Sequence, residues 1–123
     1  MPTKHPADRA ELGRRGEALA RARLTEAGLR IVARNWRCQT GEIDVVAEAP
    51  GLLVFCEVKT RRGDGYGTPA AAVNAAKQLQ LRRLAGAYLR ATPHRPCRVR
   101  FDVVAVVWPR RGEPRVEHLK GVL

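Results

Sequence analysis

The sequence predicts an α/β protein in which a mixed β-sheet is flanked by helices, in the order α-β-β-β-α-β. Two stretches with helical periodicity, residues 8–28 and 70–89, enclose a hairpin of two apolar runs. A strongly apolar strand at residues 98–108 follows the second helix. This strand-helix-strand unit favours a parallel pair between the second hairpin strand and the last strand, because such crossovers connect parallel strands.

Local signals define the individual elements. The first helix ends at Gly28, and its apolar arc comprises Leu12, Gly16, Leu19, Ala20, Leu24 and Ala27. A strand at residues 29–37 precedes a turn at residues 39–41, and Ala49 to Leu52 form the hairpin loop around Pro-Gly. A glycine-rich loop at residues 61–69 leads to the second helix, and residues 115–119 could add a short edge strand.

The length of the chain indicates one domain. Its 123 residues suffice for a real core at residues 8–123, preceded by a flexible N-terminal tail at residues 1–7. We expect neither export nor membrane insertion, because the start lacks a signal-peptide core and no apolar run approaches about 20 residues. The cysteines Cys38, Cys56 and Cys97 are odd in number and widely spaced, so we expect reduced thiols in a cytoplasmic protein.

The hairpin carries charged residues where a buried strand would be apolar. Glu57 and Lys59 lie two residues apart on one strand and therefore point to the same face. On the neighbouring strand Asp44 would face Glu57 across the ladder, and the other face would carry Val54, Cys56 and Val58. Carboxylates of like charge raise each other's pKa, and a divalent cation such as Mg²⁺ relieves that repulsion through oxygen ligands.

The spacing D-x₁₂-E-x-K is typical of metal-assisted phosphodiester hydrolysis. In that chemistry the ion polarises the phosphate and makes bound water more acidic, while a neighbouring lysine orients that water or stabilises charge on the phosphate. The alternative is an ion pair within the sheet that involves Glu57, Lys59 and Asp44, as solvated sheet faces commonly carry. The hairpin residues alone leave both interpretations open.

The charge of the chain indicates an acidic polymer as its partner. The formal net charge is +11, and 19 of the 23 basic residues are Arg, whose guanidinium binds phosphate in a bidentate manner. An Arg-, Ala-, Gly- and Val-rich composition can also reflect a GC-rich genome. The excess of basic over acidic residues is therefore the stronger observation.

Three polar residues interrupt otherwise apolar stripes. Glu17 could reach the hairpin from the first helix, or it could pair with Arg21 one turn further on. Lys77 lies on the core-facing stripe of the second helix. A lysine there must extend its charged end to solvent or meet an acidic partner, and the hairpin carboxylates are the nearest candidates. Asp102 interrupts the last apolar strand, and we interpret it as a buried structural pair with Arg100 or with an arginine from a helix.

Short runs distributed along the chain resemble the YraN family of small bacterial proteins, which is assigned to the PD-(D/E)xK, restriction-endonuclease-like superfamily. The runs are Gly13-Arg14-Arg15-Gly16-Glu17, Asn35-Trp36-Arg37-Cys38, Gly41-Glu42-Ile43-Asp44, Phe55-Cys56-Glu57-Val58-Lys59-Thr60-Arg61, Gly67-Thr68-Pro69, Lys77-Gln78 and Arg100-Phe101-Asp102-Val103. They follow the family's order and spacing from about Glu11 to Val107. Ile43 stands where the superfamily name has Pro, and Cys56 stands where an aliphatic residue is commoner; neither departure alters the expected chemistry.

The resemblance implies a restriction-endonuclease-like core and a metal-dependent site. Asp44 and Glu57 would be the metal ligands, and Lys59 would position or activate the attacking water. Glu17 would correspond to the helix carboxylate that archaeal Holliday junction resolvases place beside the metal. Lys77, with the following glutamine, matches the family's second-helix motif, which would face the substrate or complete the site.

The leading hypothesis is a metal-dependent endonuclease that hydrolyses DNA, with branched structures as one substrate class and Mg²⁺ or Mn²⁺ as cofactor. Phosphate contacts are expected from Arg14, Arg15, Arg61, Arg62, Arg82 and Arg83. Trp36 or Tyr66 could stack on an unpaired base or serve packing alone. A homodimer is expected by analogy with junction enzymes, which cut two matched strands as symmetric dimers.

Two other classes of function remain open from the sequence. The first is a nucleic-acid-binding module that keeps the fold and charge but is inactive alone or needs a partner. The second is a scaffold whose basic face meets an acidic protein. The complete D…ExK set with Glu17 argues against a pure binder, because such a protein has no need of carboxylates beside a phosphate.

Overall fold

The computed structural model describes residues 8–63, 74–94 and 97–122. The elements are α1 (Arg9–Glu26), β1 (Arg30–Cys38), β2 (Gly41–Ala49), β3 (Leu52–Arg61), α2 (Ala75–Ala91), β4 (Arg98–Val107) and β5 (Arg115–Leu119). The predicted α/β class and element order are confirmed, and β5 adds the edge strand at the end. The predicted tail at residues 1–7 and most of the glycine-rich loop, including Tyr66, lie outside the described residues.

The five strands form one mixed sheet in the order β1-β2-β3-β4-β5. Strands β3 and β4 are parallel, as the strand-helix-strand unit predicts, and the other three pairs are antiparallel. The hairpin loop is also confirmed: Ala49 pairs with Leu52, so Pro50 and Gly51 alone make the turn. Gly51 adopts φ +71°, a conformation that glycine reaches without a steric penalty.

Capping residues set the ends of the helices. The Asp8 side chain accepts a hydrogen bond of 2.8 Å from the Glu11 N–H and so begins α1. Gly28, with φ +90°, follows the end of this helix as predicted. In α2 the Asn74 side chain accepts from the Lys77 N–H at 2.8 Å, and the helix begins at Ala75. The predicted start at residue 70 lies outside the described residues.

The two helices pack on opposite faces of the sheet. Ala20 and Leu24 of α1 join a cluster with the β3 residues Val54 and Cys56 and with neighbouring valines of β2 and β4. On the other face, α2 contributes to a second cluster, whose buried members are Ile43, Val46, Leu53, Phe55, Leu81, Leu84, Ala85 and Tyr88. Within the described part of the chain, no helix combines the length and apolar character needed to cross a membrane.

Candidate active site

The sheet divides into two arms beyond the middle of β2. Among the described residues, the last pair between β2 and β3 is Val45–Cys56. Beyond it, β2 stays paired with β1 as far as Gly41, while β3 stays paired with β4 as far as Arg61. We call this opening the fork, and Asp44 is the first residue of β2 inside it. A site at the fork can receive side chains from both arms and from both helices.

Asp44 lies where the regular alternation of β2 is interrupted. Ile43 and Val45 are two residues apart, yet they belong to clusters on opposite faces of the sheet. On β1 the same interruption occurs at Asn35, which has φ +50° and lies between the pairs Arg34–Val45 and Trp36–Ile43. Asparagine tolerates this left-handed conformation better than most residues do. The regular alternation of both strands is therefore broken at the position of Asn35 and Asp44.

The Asp44 carboxylate is partly buried and electrostatically crowded. Its Oδ2 accepts a hydrogen bond of 2.8 Å from the backbone N–H of Val58 on β3. Burial raises the pKa of Asp44 from 3.8 to about 7; the Val58 hydrogen bond opposes this rise, and the charges of Glu57, Glu17 and Glu42 add to it. The structure therefore brings three carboxylates within electrostatic range of Asp44 at the fork.

Glu57 forms an ion pair with α2. The Lys77 Nζ lies 3.0 Å from Glu57 Oε1, which confirms that Lys77 meets a hairpin carboxylate. The position of α2 is fixed nearby by Gln80, whose Nε2 donates to the backbone oxygen of Thr40 at 2.8 Å. An ammonium group from the second helix thus stands beside the carboxylate predicted to bind metal.

Glu17 reaches the site from α1, and the sequence alternative of a pair with Arg21 is not the contact found. Its Oε2 accepts from Asn35 Nδ2 at 3.2 Å, and the same nitrogen donates to Glu42 Oε1 at 2.8 Å. The helix can lie this close because Gly16 has no side chain. A Cβ at this position would stand 2.0 Å from Thr60 Oγ1 on β3. Sequence reasoning missed Asn35 and Glu42 as site residues, although both stand in runs that resemble the YraN family.

The described carboxylates at the fork fit a hard divalent cation, although they do not by themselves enclose one. Among the described residues, no three His, Cys, Asp or Glu side chains are gathered closely enough to hold a metal ion. Mg²⁺ commonly takes one or two carboxylates and keeps water or phosphate oxygens in its other positions. Asp44 and Glu57 would meet that requirement, and crowded carboxylates are the groups whose repulsion a cation relieves.

Lys59 lies two residues beyond Glu57 on β3, and its side chain is exposed. Arg61 and Arg62 follow it and are half-buried at the end of the strand. Arg14 on α1 and Arg83 on α2 are exposed. These positions suit contact with a charged ligand, and the roles of these residues stay predictions.

Three residues considered for ligand binding contact aromatic rings of the protein. The Arg15 Cζ lies 4.7 Å from the centre of the Trp108 ring, and the Arg82 Cζ lies 5.4 Å from that of Phe101. Trp36 packs edge-on against Tyr88, with ring centroids 5.3 Å apart. The packing alternative for Trp36 is therefore the contact observed.

Asp102 has the structural role expected of it. It is 0% exposed, and its two carboxylate oxygens accept from Arg100 Nε at 2.9 Å and Nη2 at 2.8 Å. His118 Nε2 and the backbone N–H of Gly121 complete the network at 2.7 Å and 2.9 Å. Burial alone would raise the pKa of Asp102, but the Arg100, Gly121 and His118 hydrogen bonds together hold it below its ordinary value.

Comparison with known proteins identifies the family. The chain matches the model of the family described as "Uncharacterised protein family UPF0102" over residues 16–106. A UPF0102 protein of Streptomyces griseus is 53% identical over 115 residues, which cover 93% of this chain and 97% of the relative. A UPF0102 protein of an Arthrobacter species is 56% identical over 112 residues, 90% of this chain and 94% of the relative. One from Mycobacterium avium is 47% identical over 124 residues, covering 99% and 97%. The predicted membership is confirmed, and this chain belongs to the UPF0102 family, also called the YraN family.

Proposed function

We propose that this chain is a metal-dependent endonuclease that hydrolyses phosphodiester bonds in DNA, with branched structures as candidate substrates. One observation carries the proposal: Asp44 is a partly buried acid at the fork, and burial together with three neighbouring carboxylates raises its pKa to about 7. Ionising such a group costs stability, so the arrangement is better explained by a functional role than by a contribution to folding stability. Binding of a cation at the fork would be that role.

Asp44 and Glu57 would hold Mg²⁺ or Mn²⁺. When bound, such an ion polarises a phosphate oxygen and makes bound water more acidic. Lys59 would orient the attacking water from the same strand, and Lys77 would place a positive charge beside the phosphate. Glu17, held by Asn35, would add a carboxylate on the α1 side of the site.

The alternative is a nucleic-acid-binding module that is inactive alone or needs a partner. The 3.0 Å ion pair between Lys77 and Glu57 favours it, because this pair already offsets one hairpin carboxylate without a metal. On that alternative, the basic residues bind phosphates and the carboxylates serve structure. A scaffold whose basic residues meet an acidic protein is the third candidate, and a steep salt dependence of DNA affinity, with a slope that reflects several phosphates, would count against it.

Cleavage of labelled DNA tests the proposal directly. The substrates are a duplex, a single strand, a flap and a four-way junction, each incubated with Mg²⁺, Mn²⁺ or EDTA. We expect metal-dependent cleavage by the wild type and its loss in Asp44→Asn and in Lys59→Ala. Matched controls are Glu48→Gln, the same type of change elsewhere on β2, and Lys120→Ala, which removes an exposed lysine.

The outcomes separate the two functions. Cleavage that is lost in both site variants and kept in both controls, with DNA binding retained throughout, would support the nuclease. Binding of DNA without cleavage of any substrate by any of the metals would refute an autonomous nuclease and favour the binding module.

The expected homodimer is part of the proposal, and sedimentation with and without a four-way junction would test it. The cytoplasmic location also stays a proposal.

A further inference from the structure

A cavity of about 710 Å³ lies beside the end of β3, and its charges are strongly unequal. Among the described residues that line it, five are basic: Arg9, Lys59, Arg61, Arg62 and Arg110. The acidic residue in this described lining is Asp8, whose carboxylate also caps α1 through the Glu11 N–H. A volume of this size is within the range of ordinary ligand sites. The lining therefore favours an anionic ligand.

Three separate parts of the chain build this basic cavity. The start of α1, the end of β3 and the loop after β4 each contribute a wall. Arg61 pairs with Val107 across the parallel ladder, and its backbone oxygen accepts from the Trp108 N–H at 2.7 Å. These contacts hold the β3 wall next to the loop that carries Arg110. The buried side chain of Leu12 supports the cavity from the α1 side.

Gathering five cations in one concave surface raises the local positive potential, and a bound anion lowers that repulsion. Guanidinium groups donate in a planar fork that matches two phosphate oxygens. The N-terminal end of α1 adds the positive end of a helix dipole to the same region. The charge of the lining and the kind of donors it carries therefore both fit a phosphate group.

We infer that the basic cavity binds a phosphate group of a nucleic-acid strand, separate from the phosphate that would be cleaved at Asp44 and Glu57. The inference rests on the proposed function and specifies where the substrate strand continues. Lys59 lines the cavity and also belongs to the D…ExK set, so the two sites are adjacent. From Glu57 to Arg61 an extended strand rises about 13 Å, which spans several nucleotides of one DNA strand.

Binding of fluorescent oligonucleotides to the full chain in EDTA tests the inference without cleavage. The main variant is Arg9→Ala with Arg110→Ala. Its matched control is Arg90→Ala with Arg98→Ala, which removes the same charge from exposed positions; Arg98 pairs with Leu52 at the far end of β3. We expect the cavity variant to bind about tenfold more weakly, and its logarithmic salt dependence to become shallower by about 0.9 for each phosphate lost from duplex DNA. The control should change affinity by less than about twofold.

A variant that is expected to strengthen binding excludes loss of folding as the explanation, because a misfolded protein would bind more weakly. Asp8→Asn keeps a side chain that caps helices but removes the acidic group of the cavity lining. We expect it to bind the oligonucleotide more tightly than the wild type does. It should also bind inorganic phosphate more tightly, as measured by competition.

The source of the phosphate is read from two forms of the same oligonucleotide, one with a 5′-phosphate and one with a 5′-hydroxyl. Equal losses of affinity in the cavity variant identify an internal backbone phosphate, and a loss confined to the phosphorylated form identifies a strand end. Equal losses in the cavity and control variants would overturn the inference. An Asp8→Asn variant that binds no more tightly than the wild type would also overturn it.

The same measurements distinguish failure of this inference from failure of the nuclease. If the wild type cleaves DNA but the cavity and control variants bind alike, the basic cavity is wrong and the nuclease stands. If the cavity variant alone loses affinity and no substrate is cleaved, the cavity is supported and the nuclease is refuted. A wild type that neither binds nor cleaves nucleic acid would overturn both.

Discussion

Replacing Asp44 by Asn should stabilise the metal-free protein at pH 8. The pKa of Asp44 is raised from 3.8 to about 7. Between about pH 4 and pH 7 the folded protein therefore holds a proton that the unfolded chain has released. Stability therefore falls as the pH rises from about 4 to about 7, and the loss is complete above that window. Asn cannot ionise, and its amide oxygen can still accept the hydrogen bond from the Val58 N–H.

The size of the effect follows from the two pKa values. A difference of about 3 units corresponds to about 4 kcal/mol of stability lost between pH 4 and pH 8. Partial contact of the Asp44 carboxylate with solvent reduces this, so we expect Asp44→Asn to gain about 1–3 kcal/mol at pH 8. The gain should be smaller at pH 5, where the folded wild type keeps its proton.

Urea unfolding of the two proteins at pH 5 and pH 8 in EDTA measures this gain. Glu48→Gln is the matched control, because it makes the same carboxylate-to-amide change on the same strand at a residue paired with Arg30. Adding Mg²⁺ at ten times its dissociation constant should stabilise the wild type by about 1.4 kcal/mol and the Asn variant by less.

Two results would refute the reasoning about Asp44. The first is an Asn variant no more stable than the wild type at pH 8, which would mean that the ionised carboxylate is not destabilising. The second is a gain that is equal at pH 5 and pH 8, because titration of Asp44 could not then be its cause. A similar gain in Glu48→Gln would assign the effect to surface charge in general.

Two further predictions concern the packing around the sheet. Gly16→Ala should cost about 1–3 kcal/mol in urea unfolding, because its Cβ would lie 2.0 Å from Thr60 Oγ1. Gly13→Ala on the same helix, with no atom within 4 Å of the new Cβ, should instead stabilise by up to about 1 kcal/mol, and equal effects would contradict the close approach. Asp102→Ala should cost about 3–5 kcal/mol, since it leaves the Arg100 guanidinium without its counter-ion and the buried His118 ring without its hydrogen-bond partner. Because the pKa of Asp102 is held below its ordinary value, the stability it provides should be lost as the pH falls below about 4, and a variant that shows the wild-type acid dependence would contradict this.

Much of the fold could be predicted because its signals are local. Asp8 and Gly28 carry the chemistry of helix ends, and the Pro-Gly pair between Ala49 and Leu52 leaves room for a two-residue turn. The parallel pairing of β3 with β4 followed from the intervening helix alone. At its C-terminal end, α2 runs two residues past the predicted Leu89 to Ala91, where helix propensity gives no sharp boundary.

The candidate site could be predicted only in part, because its geometry depends on an irregularity. Strand alternation identified Glu57, and the helical periodicity of α2 identified Lys77, the partner that Glu57 meets. Strand alternation could not identify the interruption at Asn35 and Asp44, which appears only when β1 and β2 are paired. Contacts such as that of Asn35 with Glu17 join residues far apart in the sequence and have no local periodic signal.

The fork also has a consequence for motion. The β1–β2 arm lies at one edge of the described sheet, and beyond Val45–Cys56 it has no ladder with β3 to restrain it. Segments with fewer shared hydrogen bonds open at lower free energy and exchange their amide hydrogens sooner. Amides at the Gly41 end of β2 should therefore exchange faster than those of central β3. A ligand that bridges Asp44 and Glu57 would restrain both arms, so its affinity would include the entropy lost when that motion stops.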